Sequence, residues 1–450
     1  MLKTSQKKCK LAKIITDMDT TPFITQDTIV LGILMLTLGF VFYTSSSTNS
    51  FWKKFYKYIP ALLMAYMLPA IFTSFGIISP EWTTVSDTGE VLEHSSQVYY
   101  VASRFLLPAA LILMTLSIDL KAVFNLGPKA LIMFLTGTVG IIIGGPVAVM
   151  LISIVSPETV GGMGPDAVWR GLATLAGSWI GGGANQAAML EIYEYNPNKY
   201  GGMVIVDIVV ANLWMAIVLL GIGKQEKIDK WLKADTSAID KLVDKVSSYA
   251  AANDRNPSLA DYMVILSIAF TIVGMAHFGA NEISDFLREN VEAVKDKSSA
   301  WSSFGSQFFW MISISTFLGI LASFTKLKTY EGAGASKIGS IFIYILVASI
   351  GMKMDLTKIF DNPGLIVVGL IWMTIHIILL IVVAKLIRAP YFFLAVGSQA
   401  NVGGAASAPV VAAAFHPSLA TVGVLLSVFG YVVGTYGAML TAELMRIVAP

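Results

Sequence analysis

The chain is poor in the residues that make soluble surfaces, disulfides and metal centres. Of its 450 residues only 13% are charged, against roughly 25% in a soluble domain, and this excludes an ordinary soluble globule. A single cysteine, Cys9, excludes an intrachain disulfide and a cysteine-rich metal site. The four histidines are too scattered to suggest a metal centre. A formal net charge of +2 implies no nucleic-acid partner. The sequence contains no Gly-x-x-x-x-Gly-Lys-Ser/Thr phosphate loop, so drive by ATP would need another subunit, and neither His-Glu-x-x-His nor Gly-x-Ser-x-Gly occurs. No enzyme and no cofactor are expected.

What is abundant is apolar sequence. Hydrophobic residues make up 55% of the chain, and mean hydropathy is +0.71. Many apolar runs approach the ~20 residues that cross a bilayer as a helix. Candidate segments are 28–44, 59–78, 97–117, 130–154, 167–192, 200–223, 258–279, 303–324, 337–353, 364–387, 391–414 and 418–445. They follow a polar tail over 1–25, where five lysines precede no directly adjoining apolar region of the kind a signal peptide needs. A Lys- and Asp-rich stretch, 224–257, divides the segments six and six and reads as an amphipathic surface helix between a first membrane repeat, 26–223, and a second, 258–450. The expected fold class is an all-α membrane protein. Trp52, Trp82, Trp301 and Trp310 fall near segment ends, as in an interfacial belt.

Two of the apolar stretches are interrupted by matching glycine-rich breaks. One reads Gly177-Ser178-Trp179-Ile180-Gly181-Gly182-Gly183-Ala184-Asn185-Gln186 and the other Gly397-Ser398-Gln399-Ala400-Asn401-Val402-Gly403-Gly404-Ala405-Ala406. The Gly-Ser pairs are 397 − 177 = 220 positions apart, and Pro197 and Pro417 share that offset. Asp119 and Asp355 open a further matched pair, offset by 355 − 119 = 236, and an extra loop near 155–168 absorbs the difference. Anchors in the same order point to duplication.

Basic residues follow segment one (Lys53, Lys54, Lys57) and segment three (Lys121, Lys129), but segment eight (Lys326, Lys328, Lys337) and segment ten (Lys385, Arg388) in the second half. Opposite charge bias is the mark of inverted repeats. The parity resolves if the two broken segments enter and return without crossing, giving about 10–12 segments in all and the 224–257 stretch on the cytoplasmic side; only the lysine tail then breaks the rule. A helix that unwinds midway and continues across is the alternative.

Glycines hold a regular helix poorly, and the freed backbone groups need partners inside a membrane. Water, a cation at carbonyls or an anion at helix N-termini can serve. Ser178, Gly182, Gly183, Asn185 and Gln186, with Ser398, Gln399, Asn401, Gly403, Gly404 and Ser407, are therefore candidates for a solute or ion site, against tight small-residue helix packing as the plain alternative. Asp207, in an apolar segment just after the first break, is a candidate for cation binding or proton exchange, with Asn212 five residues on. A buried acid paired with a neighbouring helix, for instance through Arg104, is the competing reading. His376, near the middle of segment ten, is either a proton relay or a neutral, hydrogen-bonded histidine. The repeat mate of Asp207 is Ser427, so the halves are not equivalent here.

The two break motifs, ending in Gly-Gly-Gly-Ala-Asn and Gly-Gly-Ala-Ala-Ser-Ala-Pro, resemble the YjcL-like family of bacterial integral membrane proteins from about residue 25 to the end. That family is distantly similar to the cation–proton antiporter and anion transporter superfamily, whose glutamate–sodium and citrate–sodium symporters carry inverted repeats with Gly-Gly re-entrant loops. The resemblance implies a carrier in the cytoplasmic membrane of a bacterium, and dimers. The second motif lacks an asparagine after Gly-Gly-Ala-Ala, so no sodium ligands carry over. The expected activity is secondary transport, cation-coupled (Na+ or H+) symport of a small polar or anionic solute. A sodium–proton antiporter without organic substrate is the runner-up, ahead of a channel or a membrane enzyme.

Overall fold

The computed structural model describes residues 20–86, 91–116, 123–236, 239, 256–295, 302–354, 356, 361–416 and 419–450. The Asp119/Asp355 pair, most of the lysine tail and the body of the 224–257 linker lie outside the described residues. The helices are α1 (Asp27–Ser45), α2 (Ser50–Tyr58), α3 (Ala61–Ser74), α4 (Gln97–Leu116, with a π turn at Ala102–Leu106), α5 (Pro128–Val155), α6 (Val168–Ile192), α7 (Pro197–Ile222) and α8 (Gln225–Leu232). There follow α9 (Leu259–Asn290), α10 (Gln307–Ser323), α11 (Ala335–Met352), α12 (Gly364–Leu386), α13 (Tyr391–Asn401), α14 (Gly404–Phe415) and α15 (Ala420–Val448). One short antiparallel pair, β1 (Glu81–Val85) and β2 (Val91–Ser95), joins α3 to α4 within the otherwise helical, all-α membrane fold. Trp82 stacks on His94 across this hairpin at 5.6 Å.

Among the described residues eight helices are long and apolar enough to cross a membrane: α1, α4, α5, α7, α9, α11, α12 and α15. Two bent pairs raise the number to ten if each is one span, α2 with α3 (89°) and α10 with the 3-10 turn Lys326–Ala333 (96°). The chain is thus a multi-pass, overwhelmingly helical membrane protein. The two glycine-broken elements are not among the eight.

By compactness the chain divides into Met1–Leu106 with Tyr344–Lys358, and Leu107–Ile343 with Ile359–Pro450. Each unit draws on both halves of the sequence. In the first unit Asp27, at the start of α1, accepts from the Ser96 hydroxyl at 2.6 Å, and Thr73 of α3 donates to the Met352 carbonyl at 2.9 Å.

The second unit is organised around α5 and α12, which run antiparallel. At one end Asn362, just before α12, donates to the Thr159 carbonyl just after α5, at 2.9 Å. At the other, Lys129 at the start of α5 donates to the Arg388 carbonyl just after α12, at 3.3 Å. Between them a row of glycines on α5 receives large side chains of α12. A Cβ on Gly144 would lie 2.6 Å from the Trp372 ring, and one on Gly140 3.0 Å from the His376 Cα. Small residues allow this approach where no hydrophobic driving force separates helix from lipid. With 28 residues, α5 is about 42 Å long.

Both broken elements double back. In α6 the turn falls at Gly182 (φ 73°, ψ −171°), a conformation that only glycine adopts easily. The legs touch, since a Cβ on Gly177 would lie 2.6 Å from the Asn185 carbonyl oxygen. The ends of α6 also meet. The Arg170 guanidinium donates to the Tyr193 carbonyl, and the Trp169 and Tyr193 rings lie 5.5 Å apart. In the second element Gly403 (φ 105°) and Gly404 (φ 55°) make the turn between α13 and α14. Tyr391 and Phe392 at its start pack on Phe415 at its end, at 5.8 and 5.3 Å. The first element opens beside the C-terminal end of α5, where the Val168 amide donates to Gly161. The second opens beside the Lys129–Arg388 contact at the N-terminal end.

The start of α13 is held by α8. Asp229 is buried and accepts from the Tyr391 amide at 2.6 Å, which satisfies a free N–H and places negative charge at a helix N-terminus. Leu232 of the same helix is buried as well.

Candidate ion and solute site at the two helix breaks

The first break is organised by Asp207. This residue lies midway along α7 and is 7% exposed. Its carboxylate accepts from the Ser178 hydroxyl at 2.7 Å, the Trp179 indole N–H at 2.7 Å and the Gln186 amide at 3.2 Å. Ser178 and Trp179 belong to the first leg of α6 and Gln186 to the second, so one carboxylate ties both legs together. An ionised carboxylate only accepts hydrogen bonds, and here it meets three neutral donors. Asn185 supports the same turn. It donates to Gly181, four residues back, at 2.8 Å, and its oxygen accepts from Thr435 of α15 at 2.5 Å. Gly181 lies against Gly434 of α15, and a Cβ on Gly181 would come 2.8 Å from the Gly434 Cα.

Ser398 organises the second break. The Trp214 indole of α7 donates to its hydroxyl at 2.8 Å, and the hydroxyl lies 2.8 Å from His376 Nε2. His376 Nδ1 lies 2.9 Å from the Gly137 carbonyl. A carbonyl only accepts, so Nδ1 carries the hydrogen. With a neutral imidazole Nε2 then accepts from Ser398, and the chain Trp214 to Ser398 to His376 to Gly137 is complete. Asn401 mirrors Asn185: it donates to Gly397, four residues back, at 2.9 Å and to Phe134 at 2.9 Å, and accepts from Thr138 of α5 at 2.8 Å.

Three helices reach both breaks. α7 carries Asp207 to the first and Trp214, two turns on, to the second. α12 carries Trp372, whose ring lies 5.0 Å from Trp179, and His376, one turn on. On α15, a Cβ placed on Gly430 would lie 2.8 Å from the Ile180 carbonyl oxygen and 3.4 Å from that of Ala400. The ends of the two first legs therefore converge on one glycine.

The remaining sequence candidates divide. Gly183 approaches Ile343, with a Cβ position 3.8 Å away. Ser407 and Gln399 both lie toward Gly403. Ser427, 220 positions after Asp207, donates within its own helix to the Gly423 carbonyl at 2.8 Å. Asn212 does not join Asp207. It is exposed and donates to Ile208 in its own helix at 2.8 Å, because five residues turn a helix by about 500°, some 140° off the Asp207 face. The three hydrogen bonds to Asp207 come from α6. Trp179, Trp214, Trp372, Thr138 and Thr435 were not legible as site residues. The available signal was indole at mid-segment, away from the membrane ends where tryptophan gathers. Among the described residues no cluster of His, Cys, Asp and Glu could hold a metal ion.

These features define a membrane protein whose polar residues gather at two doubled-back helices. Residues 32–448 match the family described as a protein of unknown function (DUF819), and the chain belongs to that family. It is also similar to the "Uncharacterized membrane protein YjcL" of Bacillus subtilis (strain 168), with 24% identity over 363 residues that span 77% of this chain and 83% of that protein.

Proposed function

We propose that this protein is a secondary active transporter that couples the movement of a small polar or anionic solute to a Na+ or H+ gradient across the cytoplasmic membrane. The observation that carries this reading is the convergence on Gly430 of two doubled-back, glycine-broken helices that open at opposite ends of α5, the first of them tied to a buried carboxylate. Irregular backbone at membrane depth is tolerated where protein buries it or a water-filled cavity lines it, and paired broken helices are the usual setting of transport sites. We read the two elements as re-entrant hairpins of inverted repeats, each repeat crossing five times. Lys129 meets the Arg388 carbonyl at the mouth of the second element, and α8, which carries Lys227 and Lys230, holds Tyr391 there through Asp229; these basic residues favour a cytoplasmic side. In this scheme Asp207 is the coupling residue, and the protein acts as a carrier, without enzymatic activity or a resident cofactor.

Purified protein in proteoliposomes should take up solutes from a panel of amino acids, dipeptides and carboxylates, saturably, when a Na+ or pH gradient is imposed. Conduction without saturation would instead indicate a channel. Coupled Na+ and H+ exchange in the absence of any solute would favour the antiporter reading, whose single requirement is Asp207.

A further inference from the structure

The turn between α9 and α10 holds a cavity of about 750 Å³ that no residue of either break lines. Its size falls within the roughly 300–1,000 Å³ of pockets that take small organic molecules. Ile283, Phe286 and Leu287 of α9 line it, and Phe304 and Trp310 line it from the start of α10. The Trp310 indole donates to the Phe304 carbonyl at 2.7 Å and the two rings lie 6.1 Å apart, which fixes that wall. Glu282 is the single charged residue in the lining.

The course of α9 sets the cavity at the membrane boundary. Between Asp261 and Glu282 the helix carries no Asp, Glu, Lys or Arg over 281 − 261 = 20 residues. These span about 30 Å, the thickness of the hydrocarbon core, and Glu282 follows directly. Trp310 then stands at the depth where indoles gather. The outward stripe of α9 also runs into the cavity. Met275 and Phe286 are 286 − 275 = 11 residues apart, three helical turns, and are 55% and 63% exposed. Apolar side chains so exposed on a membrane helix face lipid, and an apolar cavity continuous with them suits a hydrocarbon chain.

The rim decides the head group. Glu282 is exposed and makes no ion pair among the described residues. The two cations nearby are engaged, Arg288 with Asp285 at 3.8 Å and Lys295 with Glu292 at 2.7 Å. Anionic lipids are read by clusters of Lys and Arg, which this rim lacks, whereas a lone carboxylate beside aromatic rings attracts an ammonium. We propose that this cavity is a lipid site for phosphatidylethanolamine, with an acyl chain against Phe286 and Trp310 and the head-group ammonium at Glu282.

The test titrates full-length purified protein in detergent with phosphatidylethanolamine or phosphatidylglycerol bearing dibrominated acyl chains, and reads tryptophan quenching. The part of the quenching that Trp310→Phe removes is the signal of the cavity. Phosphatidylethanolamine should produce it at about two- to fivefold lower concentration than phosphatidylglycerol, the scale of one exposed ion pair. Glu282→Gln should erase that preference and keep the quenching. Ala293→Phe fills the lining from an exposed position, so the variant should fold and should lose the signal with both lipids. The inference is overturned if no quenching depends on Trp310, if the wild type does not distinguish the two lipids, or if Glu282→Gln keeps the preference. It is equally overturned if Ala293→Phe is quenched like the wild type, as by an ordinary annular lipid. Decylamine separates a free amphipathic amine from a lipid: if it shifts Trp310 emission while phosphatidylethanolamine leaves Trp310 unquenched, the occupant is a free amine and the lipid assignment falls.

Discussion

The two breaks share a motif, a turn and an asparagine held by a threonine of the opposite half, yet they are finished differently. At the first break, Ser178, Trp179 and Gln186 are consumed by Asp207, Asn185 by Gly181 and Thr435, and Gly181 is pressed onto Gly434. At the second, Ser398 and Asn401 are equally tied down, but Gln399 is left without a protein partner beside an exposed Gly403. A buried charge needs full satisfaction to be tolerated, and this explains why the half that holds the carboxylate is the closed one. The half with no charge is free to keep polar groups for a ligand. Under the proposed function the two turns divide the work, an ion-handling one at Asp207 and a solute-handling one at the second break.

The comparison breaks most visibly at Asp207. Asp207→Ala strands three donors, at a cost of about 1–3 kcal/mol for each left buried and unpaired. The variant should lose several degrees of melting temperature in detergent. Asp207→Asn keeps the shape but turns an N–H toward one of those donors, and coupled uptake should fall by about tenfold or more. Full uptake by a folded Asp207→Asn protein would remove the coupling role from the first break.

The glycines offer the next contrast. Gly434 has ordinary backbone angles, so alanine there is barred by contact with the Gly181 backbone and the Asn185 amide rather than by strain, and overpacking costs about 1–3 kcal/mol. Gly404 has open space but φ 55°, so alanine there meets only left-handed strain of about 1–2 kcal/mol. Thermal melts should rank Gly434→Ala as the more damaging for stability. The reverse order would mean that the first turn is not closed by packing.

Much of this contrast was written in the sequence, in the right places. Glycine runs located both turns to within a residue or two, and a lone acid in Val206-Asp207-Ile208 announced itself because charge is rare at such depth. The 220-residue offset was less reliable inside the motif. It pairs Gly181 with Asn401, although the structure gives Asn401 the same bonding pattern as Asn185, on the other side of its turn. Local sequence could not foresee this, because Asn185 follows Gly182 and Asn401 precedes Gly403, and the partners Thr435 and Thr138 come from distant helices. Trp214, Trp372 and Thr138 stayed hidden for the same reason: an indole or hydroxyl in an apolar helix acquires meaning only from the helix packed on it. The β1–β2 pair escaped because its five-residue strands carry little hydrophobic signal beside the long spans.

A smaller effect tests whether the breaks are linked through α7. Ser398→Ala removes the acceptor of Trp214 and the donor to His376, and Trp214→Phe removes one of those bonds alone. Each should cost about 1 kcal/mol. In a double-mutant cycle the pair should show a coupling of about 0.5–1 kcal/mol, since they share a bond. Additive melts would mean that the contact carries no energy and that α7 serves the first break alone.

The smallest expected effect is at Asn212, and it fixes the boundary of the first site. Asn212 was a candidate partner of Asp207 by proximity in sequence, but its amide bonds Ile208 and its side chain faces outward. Asn212→Ala removes only that local bond, so stability should stay within about ±0.5 kcal/mol. Uptake and its dependence on Na+ and pH should match the wild type in the same proteoliposome assay. A changed ion dependence in a variant of unchanged stability would place Asn212 on the ion path, and Asp207 would no longer be the whole of the charged step.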